Sequence, residues 1–261
     1  MDTFMGKLIE KIERMQKSSG PRLGFAPPNA TKQTFMLLVA VIPSSSAALA
    51  AAATAHGADG LLIKEVSTQG SPSLSPGLKL SSQTPVGVML QGDQSERPAG
   101  DFVVVDITAP AAVLTDGEDI DVVLSVGLDL SDAELRVLEA LPIDAVILPA
   151  TEGPLTLENL IAYYRVTRST NKPVLANVSG TPDGAGIRAL RDAGISGFFV
   201  EVPDVDAAAV AALRRAIEDL PAKKPRKSRG RHAATVGMPS SMGFGPERTQ
   251  EPDEDDGDDE P

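Results

Sequence analysis

Between residues 35 and 220 the chain alternates short apolar runs with longer segments in which apolar and polar residues recur at helical spacing. The runs are FMLLVAVI (35–42), GLLI (60–63), PVGVML (85–90), FVVVDI (102–107), DVVLSVG (121–127), DAVILP (144–149), PVLANV (173–178) and GFFVEV (197–202). Several are apolar at consecutive rather than alternate positions, which predicts strands covered on both faces, as in parallel sheets. The segments between several of them read as helices. SSSAALAAAATAHG opens on serine caps and ends in glycine, and SDAELRVLEALP (131–142) carries a capping box of Ser131 and Glu134. LTLENLIAYYRVTRSTN (155–171), TPDGAGIRALRDAG (181–194) and DVDAAAVAALRRAIEDLP (204–221) complete the series. Strand and helix in alternation define an α/β fold. Ahead of it, residues 3–17 predict an amphipathic helix with Phe4, Leu8, Ile12 and Met15 on one face.

The segment HGADGLLIKE (56–65) recurs as PAGDFVVVDI (98–107), LPIDAVILPA (141–150) and AGISGFFVEV (193–202). Aligned on their turns, these place Asp59, Asp101, Asp144 and Ser196 at one position and Lys64, Asp106, Pro149 and Glu201 at another. The strands between them share a second signature, seen in TPVGVMLQG and KPVLANVSG. A fourfold repeat of paired strand units predicts a closed eight-stranded barrel. An open doubly wound sheet is the competing arrangement, and eight regularly paired strands favour the barrel.

The phrases GADGLLI and DAGISGFFV, with NKPVLANVSGTPDGAGIRALRDAG, make residues 37–217 resemble the (βα)8 barrels that bind small phosphorylated metabolites. Indole-glycerol-phosphate synthase, thiazole synthase and the nitronate monooxygenase group are examples. The resemblance implies an α/β (βα)8 TIM barrel with a ligand site at the C-terminal mouth. Here residues 66–84, 92–100 and 108–120 lack a convincing helix, so some helices are expected to be reduced to loops. One flank of the barrel is then thinly covered, and the N-terminal helix or a second subunit is expected to cover it. The reading divides the chain into an N-terminal helix and connector (1–34), a barrel domain (35–221) and a disordered, charged C-terminal tail (222–261). That tail has six Lys or Arg between 223 and 231 and eight acidic residues between 251 and 260, with no apolar core. A solubilising tail and a docking arm for a charged partner are the two readings of it.

Composition narrows the chemistry. The chain of 261 residues has no Cys and two His, which excludes thiol nucleophiles, disulfides and a His-rich metal site. A net charge of −12 and 3% aromatic residues argue against nucleic-acid binding. Residues 34–55 are apolar enough to test as a membrane span, but Pro43 and three serines interrupt them, so a strand followed by a helix is expected. A cytoplasmic protein with no membrane association is the resulting expectation, and the sequence names no cofactor.

Side chains of alternate strands share a layer in such barrels. Lys64, Asp106 and Glu201 are therefore expected at one level of the mouth, as candidate catalytic residues. A Lys between carboxylates can polarise or capture a carbonyl while the acids move protons. The same trio can instead be a salt-bridge cluster, and a one-residue slip would turn it outward. Gln91, Asn177, Ser179, Gly180 and Thr181 are the candidate ligand-binding residues. The loop SGTPDGAG (179–186) offers glycines toward a phosphate, although Asp183 opposes an anion. The plain reading of that loop is a helix start, with Thr181 as cap and Pro182 at the first helical position. Asp129, near Ser131, reads as helix-entry chemistry. Two functions follow: a lyase- or isomerase-type enzyme acting on a small oxygenated or phosphorylated metabolite, or a non-catalytic barrel serving as a binding or assembly module, joined to a second copy or a protein partner through its flank or tail.

Overall fold

The computed structural model describes residues 6–18, 36–43, 46–64, 83–90, 100–114, 120–150, 154–180, 182–203 and 207–221. Eight strands form: β1 (Leu37–Ile42), β2 (Gly60–Ile63), β3 (Val86–Met89), β4 (Phe102–Asp106), β5 (Asp121–Ser125), β6 (Ala145–Leu148), β7 (Val174–Val178) and β8 (Ile195–Glu201). Each pairs in parallel with the next, and β8 returns to β1, so the sheet is a closed barrel. The helices are α1 (Lys7–Ser18), α2 (Ala47–Ala55), α3 (Asp132–Ala140), α4 (Leu157–Ser169), α5 (Gly184–Ala193) and α6 (Ala208–Glu218). The chain is a (βα)8 TIM barrel. Residues 37–55 are β1 and α2, and no helix among the described residues is long and apolar enough to cross a membrane.

The wholly apolar strands are explained by two cores on opposite faces of one sheet. Leu38, Ala40, Val103, Val105, Val146 and Phe198 point outward into a shell packed against the helices. Leu37, Val39, Val41, Phe102, Val104, Ile147, Leu175 and Phe199 point inward and fill the barrel. Leu62, Val104, Ile147 and Phe199 are equivalent residues of β2, β4, β6 and β8, all in the inner core, as one layer of alternate strands requires. Side chains two residues further along a strand share its face. Lys64, Asp106, Pro149 and Glu201 therefore continue the inward-facing rows at the C-terminal rim.

The repeated aspartates have a role that their turn positions do not reveal. The carboxylate Oδ2 of Asp59 accepts from the Leu38 amide at 3.0 Å, Asp101 from Val86 at 2.9 Å, and Asp144 from Val122 at 2.7 Å. Each aspartate's own amide donates back to the carbonyl of that same residue, at 2.7, 2.7 and 2.8 Å. Strands β2, β4 and β6 are thus each clasped to the N-terminal end of the strand before them. Ser196, the fourth member, lies at a register shift, where Val174 pairs Ile195 and Leu175 pairs Gly197. Its hydroxyl accepts instead from Gln16 of α1 at 3.2 Å.

Helix α1 does not cover the flank, which corrects the expectation for it. It closes the floor of the barrel: Leu8, Ile9 and Ile12 belong to the inner core, among β1, β5 and the other strand bases. The apolar bottom of an eight-stranded barrel is open at that end, and an amphipathic helix supplies the missing surface. Several of its ties go to strand starts. Lys7 pairs with Asp101 at 2.7 Å, Lys11 donates to the Asp59 carbonyl at 2.6 Å, and the Leu8 and Ile9 amides donate to Asp121 Oδ2 at 2.9 and 3.2 Å. A distant carboxylate thus caps the first turn of α1. A Cβ on Gly6 would lie 2.3–2.5 Å from that carboxylate, so only glycine permits the approach. On the flank itself Ala111–Leu114 form a short 3₁₀ turn whose Val113 joins the outer shell. The connections at 66–82 and 92–99 lie outside the described residues, yet β3 and β4 do pair in parallel across the short one.

Candidate functional site

At the C-terminal mouth lies a cavity of about 760 Å³. Val41, Met89 and Phe199, the ends of the inner core, make an apolar floor. Lys64, Glu201, Asn177, Ser179 and Gly180 supply its polar rim. Beyond the last apolar layer the strands splay and water reaches the inward-facing row, so charge is tolerated there and not one layer lower. Lys64 Nζ donates to Glu201 Oε1 at 2.8 Å. The strand order explains the meeting: β8 and β2 flank β1, where Val41 pairs Glu201 and Ile42 pairs Ile63.

Asp106 is placed differently. Its Oδ1 accepts from the Thr108 amide at 2.7 Å and the Thr108 hydroxyl at 2.5 Å, and the Ala109 amide donates to its carbonyl. The hydroxyl of Thr108, then its amide, holds the Asp106 carboxyl below the ordinary aspartate range. Asp106 is exposed and is not among the described residues that line the cavity. It ends β4 in a tight turn that Thr108 closes through Oδ1.

Asn177 and Ser179 face the cavity from the end of β7. Among the described residues neither side chain is committed to a protein partner. Gly180 follows with φ +72, a left-handed turn with open space where a Cβ would stand. Gln91 and Thr181 lie outside the described residues, as do Lys79, Thr151, Glu152 and the charged tail. The reading of the 179–186 loop needs correction. The cap of α5 is Asp183, whose Oδ1 accepts from the Gly186 amide at 2.7 Å, and the helix begins at Gly184 rather than Pro182. Its carboxylate already occupies the helix N-terminus that would attract a phosphate. Ser131 caps α3 through the expected box with Glu134, and the Asp129 carboxylate folds back against Gly127. Among the described residues no cluster of His, Asp and Glu could hold a metal ion.

No protein-family model matches the chain, and no curated protein matches its sequence. Solved structures do match in fold. Tryptophan synthase of Mycobacterium tuberculosis is 10% identical with a TM-score of 0.55, over 82% of this chain and 99% of that one. Phosphoribosyl anthranilate isomerase, bound to reduced 1-(o-carboxyphenylamino)-1-deoxyribulose 5-phosphate, is 12% identical with a TM-score of 0.51, over 71% and 100%. Thiamine phosphate pyrophosphorylase of Pyrococcus furiosus is 16% identical with a TM-score of 0.50, over 71% and 96%. These likenesses, at low identity, establish the TIM-barrel class.

Proposed function

We propose that the barrel is an enzyme of the lyase or isomerase type, acting on a small oxygenated or phosphorylated metabolite at its C-terminal mouth. One observation carries this reading: a cavity in which an ion pair, Lys64–Glu201, meets the uncommitted side chains of Asn177 and Ser179 over an apolar floor. The names of two fold neighbours, a thiamine phosphate enzyme and an isomerase bound to a ribulose phosphate, are in keeping with it.

In this reading the ammonium of Lys64 holds an anionic or carbonyl oxygen of the substrate. Glu201, displaced from Lys64, takes a proton from the hydroxyl-bearing carbon beside that carbonyl and returns it to the carbonyl carbon on the same face, while the hydroxyl proton passes between the two oxygens of the enediolate. Asn177 and Ser179 orient the remaining oxygens. The side chains of Lys64 and Glu201 are 47% and 70% exposed, and such exposed pairs are worth roughly 0–1 kcal/mol. Opening the pair for a ligand is therefore cheap. Asp106, held by Thr108, stabilises the rim in this scheme and moves no proton.

A thermal-shift panel of sugar phosphates and 2-oxo acids tests the proposal on the wild type and on Lys64→Met and Glu201→Gln. A ligand that stabilises the wild type, fails with Lys64→Met, and still binds Glu201→Gln without turnover is the expected result. Full turnover by Lys64→Met would rule out its role. The non-catalytic module is favoured by a single feature, the mutual satisfaction of the rim pair. It predicts stabilisation by a protein partner and by no metabolite.

A further inference from the structure

A second hollow, of about 660 Å³, opens between the N-terminal ends of α4 and α5. It shares Asn177, Val178 and Ser179 with the mouth cavity, so the two meet around the tip of β7. Its walls are mostly apolar: Leu155, Leu157, Leu160, Ala185, Ala189 and Leu190 are among them. Leu157, at its entrance, is 78% exposed.

Two of the polar groups in this crevice are helix caps. Thr156 Oγ1 donates to Asn159 Oδ1 at 2.7 Å and accepts from the Asn159 amide at 3.2 Å, capping α4. Asp183 Oδ1 accepts from the Gly186 amide, capping α5. Asp183 repels an anion, and the leucine and alanine walls offer their contact area to an apolar occupant. Asn177 and Ser179, which are uncommitted, stand at the junction of the two hollows.

We infer that the natural ligand is amphipathic, with an anionic oxygen head at Lys64 and an uncharged apolar arm that passes Asn177 and Ser179 to lie between α4 and α5. This deepens the mouth reading and rests on it. The crevice then acts as the specificity subsite: it selects the length and bulk of the arm, while the mouth selects the head.

A series of monoalkyl phosphates, methyl, butyl and hexyl, with phenyl phosphate beside them, separates the two halves by NMR titration of the full chain. Each buried methylene adds up to about fourfold in affinity, so hexyl phosphate is expected to bind at least about tenfold more tightly than methyl phosphate. Two variants read the crevice, each by its own hexyl-to-methyl ratio. Ala189→Phe fills the crevice, and Leu157→Glu charges its entrance at an exposed position that cannot threaten folding. Both are expected to bring the ratio close to one, whereas Lys64→Met weakens every member of the series. A wild-type ratio near one, or a ratio unmoved in Leu157→Glu, overturns the crevice while leaving the mouth intact. Arm-dependent binding indifferent to Lys64→Met removes the head site instead. No binding by any member overturns both.

Discussion

Asp59, Asp101 and Asp144 differ from ordinary turn aspartates in what they hold. Each makes a two-way bond with one residue of the preceding strand, through its carboxylate and its own amide. Removing the carboxylate leaves a strand amide without its acceptor, which costs roughly 1–3 kcal/mol. Asp144→Ala is therefore expected to lower the free energy of unfolding by that amount, read as a fall in the urea midpoint at constant m-value, while Asp144→Asn, which keeps an acceptor oxygen, loses less than half as much. Lys64 is the opposite case. Its pair with Glu201 is exposed, so Lys64→Met is expected to change stability by less than about 1 kcal/mol, measured in the same denaturant titration, even as it removes ligand binding. The repeat was legible in the sequence because identical residues fell at equivalent steps. The meaning of its aspartates was not, since each amide donor lies 15 to 22 residues away, on another strand. Asp106 shows a different limit: it shares a repeat position with Lys64 and Glu201, but a local partner, Thr108, bonds its carboxylate two residues on.

At the scale of elements, α1 is the part whose role tertiary structure decides. Its amphipathic face was evident, but an apolar stripe does not say which opening it fills. Ile12 is 1% exposed in the floor, and Ile12→Ala is expected to cost about 2–5 kcal/mol by the cavity it leaves, read as a fall in thermal midpoint. The cap of α1 also links its docking to pH. Burial, then the nearby negative charge of Asp144, raises the Asp121 carboxyl from its ordinary value of 3.8 to about 6, against the lowering effect of the α1 amides. A carboxyl with a raised folded value binds its proton more tightly when folded. Its stabilising contribution is full below about 4 and is lost as pH rises through about 6, on the order of 2–3 kcal/mol in all. Asp121→Asn is expected to abolish that slope between pH 4 and 6 in denaturant titrations while the rest of the pH profile persists. A profile identical to wild type would show that folding leaves the proton affinity of Asp121 unchanged.

For the molecule as a whole, closure of the ring joins the ends of the barrel in sequence. β8 pairs with β1, and Arg214 of α6 reaches the start of the same ring, donating Nε to the Gly57 carbonyl at 2.8 Å and pairing with Asp59. The Arg214 side chain is 11% exposed and that of Asp59 18%. Arg214→Met strands a half-buried carboxylate and a carbonyl, and is expected to cost about 3 kcal/mol or more. Because the closure is shared around the ring, unfolding should remain one cooperative transition by both circular dichroism and calorimetry.

The sequence alone determined that eight strands are covered on both faces, that they come in pairs, and that a parallel barrel results. These are properties of period and composition, carried by local residues. It did not fix which side chains face inward at the rim: strands apolar on both faces carry no phase, and only the division of their rows into an inner and an outer core supplies it. Tertiary structure decided what meets what. It put α1 under the floor, turned Asp183 onto its own helix, gave Asp106 to Thr108, and brought Lys64 to Glu201 across β1. The floor helix and the rim pair depend on contacts between residues 112 to 180 positions apart, which no local pattern encodes. Asp183 and Asp106 instead bond partners two or three residues away, where several local turns and caps compete and the backbone path of the closed ring selects one.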